Sequence, residues 1–188
     1  MVVGRSNNME YHVSLPLSSE ILKKLQVHDV LYVTGTIFTA RDSAHMKMRG
    51  MKPKDLPFDP SVMGLYHCGP LMKKENGRWI AVSAGPTTSS RMDDFEDILL
   101  DRFRVHLIIG KGGMGERTRK ALKKTGSVYT VFPGGAGVLA AEKISTVTSV
   151  YWLEELGMPE AVWILEVQEF GPLVVTIDPF GESLYHRS

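Results

Sequence analysis

The sequence predicts a single α/β domain built on a mixed sheet, and three observations carry that prediction. Its 188 residues, 43% of them hydrophobic, supply apolar material for one well-buried core, or at most a domain plus an extension. Short apolar runs with strand-like alternation exchange with segments of helical period. Several strands follow one another without a helix between them, which favours a mixed sheet over a strictly doubly wound one. No repeat, low-complexity tract or charged tail breaks the pattern, and Pro and Gly are spread as turn punctuation. One domain is expected over residues 11–188, preceded by a flexible segment, 1–10.

Along the chain, Tyr11 to Leu15 alternates as a strand, Ser19 to Leu25 reads as a short helix, and Val30 to Thr39 as a longer strand. A helix over Arg41 to Met48 stops at Arg49-Gly50, and three prolines between Met51 and Pro60 dictate a loop, a candidate lid or partner-facing excursion. Strands resume at Val62 to His67 and Trp79 to Ala84, followed by an acidic helix from Met92 to Phe103. A strand over Val105 to Ile109 leads to a basic helix from Glu116 to Lys124. Strand Ser127 to Phe132, helix Ala136 to Lys143 entered through PGGAG, and strands Val162 to Val167 and Leu173 to Ile177 complete the order, with Tyr151 to Leu156 readable as either type.

Composition excludes several classes of function. Twenty-two basic against twenty-one acidic residues leave a net charge of +1, so there is no global field suited to nucleic acid. Cys68 is the only cysteine, which rules out an internal disulfide and any metal or iron–sulfur site built from several thiolates of this chain alone. No run approaches the roughly 20 apolar residues that span a bilayer. A soluble, cytoplasmic protein is expected, with neither nucleic acid nor membrane as partner.

The segment GPTTSSRM, Gly85 to Met92, enters the acidic helix through two threonines and two serines and carries Arg91. Hydroxyls cap free N–H groups at helix starts, and those groups also attract anions, which a guanidinium grips through paired hydrogen bonds. Asp93, Asp94 and Glu96 read as acids capping their own first turn. GKGGMG, Gly110 to Gly115, formally satisfies the dinucleotide pattern, but no acid ends the following strand to hold a ribose, and it lacks the residues of a P-loop. What remains is Lys111 in a glycine-rich turn, either an anion site or a solvated lysine. Arg41 follows Thr39 at a third junction, so three strand-to-helix junctions bear cations where ligands tend to bind. Their convergence would make a dicarboxylate site.

Of the histidines, His45 lies near Arg41 and could hydrogen-bond a substrate or partner. His12, His28, His67, His106 and His186 sit in unremarkable contexts, with no metal-site spacing. Cys68 reads as a small buried or semi-buried thiol rather than a nucleophile, since its neighbour His67 would point to the opposite face of a strand.

GTIFTARDSAHMKM, YHCGPLM, GPTTSSRMD, LIIGKGGMG and the closing stretch from VFPGGAG to DPFGESLY, in this order, resemble the β subunit of class I, iron–sulfur-dependent fumarate hydratases. They are similar too to the β subunit of L-tartrate dehydratase and to the C-terminal half of the single-chain enzymes. The resemblance covers nearly everything from Tyr11 onward. It implies a swivelling β/β/α fold packed against an α subunit whose three cysteines hold a [4Fe–4S] cluster. The open iron of that cluster acts as Lewis acid, while the β part holds and deprotonates substrate.

Carried onto this chain, the resemblance makes Arg41, Arg91 and Lys111 the carboxylate-binding cations and Thr87 the base, with Asp42, His45 and Thr88 orienting them. It implies reversible hydration of fumarate to L-malate by a hetero-oligomer of α and β chains, the isolated chain being inactive. The alternatives are dehydration of tartrate or another hydroxy-diacid, a stand-alone nucleotide-binding module using GKGGMG, and a purely structural subunit.

Overall fold

The computed structural model describes residues 8–133 and 137–185. Expectations falling on the rest, among them most of the flexible start, part of the PGGAG entrance and His186, lie outside the described residues.

Strands β1 (Glu10–Ser14), β2 (Val30–Thr39), β3 (Gly64–Tyr66), β6 (Leu107–Gly110) and β7 (Val128–Val131) pair in parallel in that spatial order. The long β9 (Val162–Ile177) runs antiparallel to β7, to β2 and to β8 (Ile144–Tyr151). Because β9 bonds to both β2 and β7, five strands of a seven-stranded sheet close into a ring. A hairpin of β4 (Leu71–Glu75) and β5 (Arg78–Ser83) forms a second, two-stranded sheet. The helices are α1 (Ser19–Leu22), α2 (Asp42–Arg49), α3 (Asp93–Asp101), α4 (Glu116–Thr125), α5 (Gly137–Glu142) and α6 (Leu153–Leu156). This is the expected α/β domain with a mixed sheet, and among the described residues no helix is long and apolar enough to cross a membrane.

Period-two alternation sorts the side chains into two cores. Val33 and Ile37 of β2, Leu107 and Ile109 of β6, and Trp163 and Leu165 of β9 fill one, together with Val13 and Met72. Their neighbours Phe38, Ile108, Val162 and Ile164 face the other, where Ala44, Leu99 and Leu122 bring in α2, α3 and α4. Helix α3 touches both α2 and α4. Strands buried on both faces read as continuous apolar runs, which is why VHLII carries no polar alternation.

Three elements differ from expectation. Strand β4, LMKKE, was hidden by its lysines, which an exposed hairpin tolerates; Asn76 and Gly77, both at positive φ, form the tight turn that an Asn-Gly pair favours. The polar strand β8 shows only weak alternation. Its end, with α6 after it, resolves Tyr151 to Leu156 as strand then helix. The two strands expected between Val162 and Ile177 are one, because register shifts against β2 absorb the intervening residues without breaking the pairing.

Trp163 links the layers. Its backbone N–H donates to Thr39 Oγ1 at 3.1 Å, its indole N–H to the Met158 carbonyl at 2.9 Å, and its ring meets Trp79 edge-on at 5.0 Å. Trp163→Ala is expected to lower unfolding free energy in urea by about 3–5 kcal/mol through transfer and cavity costs, whereas exposed Ile80→Ala should change it by less than about 1 kcal/mol.

Candidate active site at the C-terminal ends of the parallel strands

Parallel pairing of β2, β3 and β6 brings their C-terminal ends side by side. The chain leaves β2 through Ala40 and Arg41 into α2, leaves β3 through His67 and Cys68, and leaves β6 through Lys111. The segment carrying Arg91 arrives differently: it follows β5 of the separate hairpin and lies across those ends. Thr87 N–H donates to the His67 carbonyl at 2.8 Å, Ser89 N–H to the Lys111 carbonyl at 3.0 Å, and Thr88 forms a parallel bridge with Lys111. Two junctions therefore belong to the main sheet, and the third is stitched onto them.

Arg91 is held by Asp42 through Nε and Nη2, both at 3.1 Å, and its Nη2 also donates to Thr87 Oγ1 at 3.0 Å. Burial raises the Asp42 pKa, but the hydrogen bond and charge of Arg91, with the charge of Arg41, outweigh it and hold the carboxyl below its ordinary value. Both partners are about two-fifths exposed, so the pair aligns a guanidinium more than it stabilises the fold, where such pairs contribute about 0–1 kcal/mol.

Arg41 lies 3.3 Å by Nε from Glu160 Oε1, and Glu160 Oε2 accepts the Ser43 N–H at 2.9 Å. Glu160 thus anchors the arginine and caps α2, which has no capping side chain of its own. Gly69 of YHCGPL makes room: a Cβ there would lie 2.6 Å from Arg41 Cδ. Among the described residues, the terminal nitrogens of Arg41 take no hydrogen-bond partner and exposed Lys111 Nζ no ion pair.

Beneath this surface lies a buried cluster. His45 and His67 each direct Nε2 to Glu96 Oε1, at 3.0 and 2.7 Å, with all three side chains wholly buried. His45 Nδ1 meets the Arg41 carbonyl at 2.7 Å and His67 Nδ1 meets Ser89 Oγ at 2.8 Å. Glu96 was expected to cap its own helix and His67 to be incidental; both expectations are corrected. Glu96 sits one turn into α3 on its inward face, and the signal available was a lone acid among the apolar positions of an amphipathic helix. These three groups place ligand-capable atoms within 4.8 Å of one another. Their contacts are those of hydrogen bonds, whereas N and O ligands around a zinc at 2.0–2.1 Å would stand about 3.3 Å apart.

The other acids divide. Asp93 does not cap α3: its Oδ1 accepts Gly115 N–H at 2.8 Å and Thr118 Oγ1–H at 2.6 Å, closing the start of α4. The seat that a pyrophosphate would take above GKGGMG is therefore filled by a carboxylate of the same chain. Asp94 pairs with Arg117 on the surface. Cys68 is wholly buried, and burial, opposed only by the charge of Arg41, pushes its thiol far up. It stays protonated, and with no second cysteine this chain does not fit the role of cluster ligand.

Burial raises the Glu96 pKa, yet the two histidines outweigh it and hold the carboxyl down at about 2, against an ordinary 4.5. Its stabilising contribution is present above pH 4.5 and lost as pH falls toward about 2. For His45, burial lowers the pKa, but Glu96 and the Arg41 carbonyl raise it above the ordinary value, so that contribution is lost as pH rises through the folded pKa. In urea unfolding across pH, the stability difference between wild type and Glu96→Gln should therefore be widest between pH 4.5 and 6.5, the ordinary values of the two groups, and narrow on both sides. Exposed Glu154→Gln should show no such difference.

A family described as Fumarase C-terminus matches residues 4–188. The chain is 47% identical over 181 residues to the putative L(+)-tartrate dehydratase subunit beta of Methanocaldococcus jannaschii, covering 95% of this chain and 92% of that one. It is 40% identical over 176 residues to the L(+)-tartrate dehydratase subunit beta of Escherichia coli K12, covering 94% and 87%. It is 42% identical over 171 residues to a putative class I fumarate hydratase of Geobacillus stearothermophilus, covering 90% of this chain and 32% of that protein. The family match runs from before β1 to beyond β9 and takes in every residue of the site; this chain belongs to the fumarase C-terminus family.

Proposed function

We propose that this chain is the β subunit of a hydro-lyase that reversibly hydrates fumarate to L-malate together with an α subunit. The observation that carries this reading is one hydroxyl, Thr87 Oγ1, hydrogen-bonded to Arg91 Nη2 at 3.0 Å, on a turn stitched to the backbone that bears Lys111 and linked through Asp42 to Arg41. Three cations suit a substrate with a carboxylate at each end. Arg91, oriented by Asp42, and Arg41, anchored by Glu160, present pre-set guanidinium faces, while Lys111 supplies a mobile point charge.

In the dehydration direction, the Thr87 oxygen takes the proton from the carbon next to one carboxylate. A threonine in water is a poor base. Here the Arg91 guanidinium stabilises negative charge on that oxygen, and exclusion of water by a partner would strengthen the effect. The electron pair left on carbon spreads into the adjacent carboxylate as enediolate-like charge, which Lys111 and Arg41 stabilise. It then forms the carbon–carbon double bond as the C–OH bond on the neighbouring carbon breaks and the hydroxyl leaves as hydroxide, a departure that a Lewis acid held by the α subunit would assist. In the hydration direction Thr87 returns the proton. We assign the [4Fe–4S] cluster to the α subunit, because the one cysteine here is buried and protonated.

Arg91→Ala or Lys111→Ala in the reconstituted αβ enzyme should each lower kcat/KM by about 10²-fold or more, with exposed Lys120→Ala unchanged. Unaltered activity in Arg91→Ala would make the chain a structural subunit.

Dehydration of L-tartrate is the second reading, favoured by the near end-to-end match with two chains named L(+)-tartrate dehydratase subunit beta. The two substrates differ by one hydroxyl. Assay of the reconstituted pair with fumarate, L-malate and both tartrate stereoisomers should show highest kcat/KM for the fumarate–malate pair, and a strong preference for L-tartrate would establish the second reading. The isolated chain should be inactive with all four.

A further inference from the structure

We propose that Glu96, with His45 and His67, is a positioning device for the substrate-binding cations: a buried, directional hydrogen-bond chain that ties the Lys111 backbone to the Arg41 backbone. This rests on the reading of Arg41 and Lys111 as carboxylate-binding groups.

Donor and acceptor bookkeeping fixes the direction of the chain. The Arg41 carbonyl can only accept, so His45 Nδ1 carries a proton and donates at 2.7 Å. Glu96 Oε1, as a carboxylate oxygen, also only accepts, so His45 Nε2 carries a second proton and donates at 3.0 Å. His45 is therefore an imidazolium. His67 donates through Nε2 to the same oxygen at 2.7 Å. A second imidazolium beside the first would leave the buried cluster with net positive charge, so His67 Nδ1 is bare and accepts the Ser89 hydroxyl at 2.8 Å. Ser89 Oγ in turn accepts the Lys111 N–H at 3.0 Å.

The chain reads from the Lys111 amide through Ser89, His67, Glu96 and His45 to the Arg41 carbonyl, with one positive and one negative charge. Burial and the His45 charge lower the His67 pKa while Glu96 raises that of His45, in agreement with this assignment. The His67 carbonyl, meanwhile, holds the Thr87 N–H, so the same residue fixes the turn of the proposed base. Gly110 is required for the chain to close, because a Cβ there would lie 1.9 Å from Ser89 Oγ.

Stability alone does not account for such a cluster. A buried ion pair is commonly no more stable than apolar side chains of equal volume. Glu96 Oε2 also remains buried without a hydrogen-bond partner among the described residues, a cost tolerated where geometry is being specified. What the chain specifies is the separation of two cation-bearing turns that sequence places 70 residues apart, Arg41 and Lys111.

Two measurements test it. In nitrogen NMR of the full chain, both His45 nitrogens should show imidazolium shifts at about pH 7 while His67 is the neutral Nε2–H tautomer, and Glu96→Gln should return His45 to neutrality. In the assembled αβ enzyme, Glu96→Gln and the gentler Ser89→Ala should each raise KM for the dicarboxylate, by about tenfold for Glu96→Gln, with a smaller change in kcat. A neutral His45 at that pH would overturn the proposal, as would unchanged KM in both variants while Arg91→Ala is inactive. One zinc per chain, lost in Glu96→Gln, would replace it with a metal site. If Arg91→Ala and Lys111→Ala retain full activity, the underlying reading of the cations fails instead, whatever the NMR shows.

Discussion

Parallel pairing of β2, β3 and β6 is the constraint on which the rest of the molecule depends. Strands that run the same way bring their C-terminal ends to one edge, so the chain must turn out of the sheet three times in the same place. Each exit leaves peptide groups without ladder partners. Here those groups bond to one another and to the crossing segment Thr87 to Ser89, so the backbone accounting itself assembles the site. Closure of the sheet by β9 then prevents the strand ends from spreading.

Charge is distributed in two tiers above and below that edge. The outer tier, Arg41, Asp42, Arg91 and Lys111, is partly or largely exposed, and its ion pairs align side chains more than they add stability. The inner tier, Glu96 between His45 and His67, is wholly buried, and in the proposed protonation pattern it carries no net charge. Removing one member of such a set strands the others in a medium of low dielectric. The inner tier is therefore far less tolerant of substitution than the outer, although the outer tier is the one proposed to meet the substrate.

A site made this way is open on one side. Nothing among the described residues covers Lys111, and this chain supplies a proposed base and cations but only one, buried, cysteine. The chain spans nearly all of the tartrate dehydratase beta chains and about a third of the class I fumarate hydratase from Geobacillus stearothermophilus. The half of the chemistry assigned here to a partner is the half that needs several thiolates, and this chain has one cysteine.

By itself the sequence determined the order and type of most elements, because apolar period and Gly/Pro punctuation are local signals: Val30–Thr39 emerged to the residue, and α2, α4 and β6 within about two residues. It determined the turns bearing Arg41, Thr87, Arg91 and Lys111, since cations beside glycines and hydroxyls at helix starts are legible in a linear string. Only the tertiary structure decided what lies beneath them. Glu96 looked like a capping acid, His67 like a bystander and Glu160 like nothing at all, because the hydrogen-bond partners that define their roles are 29 to 117 residues away. Local pattern reports which face a residue takes; which residue waits on the facing element is set by strand order and register, and those belong to the assembled sheet.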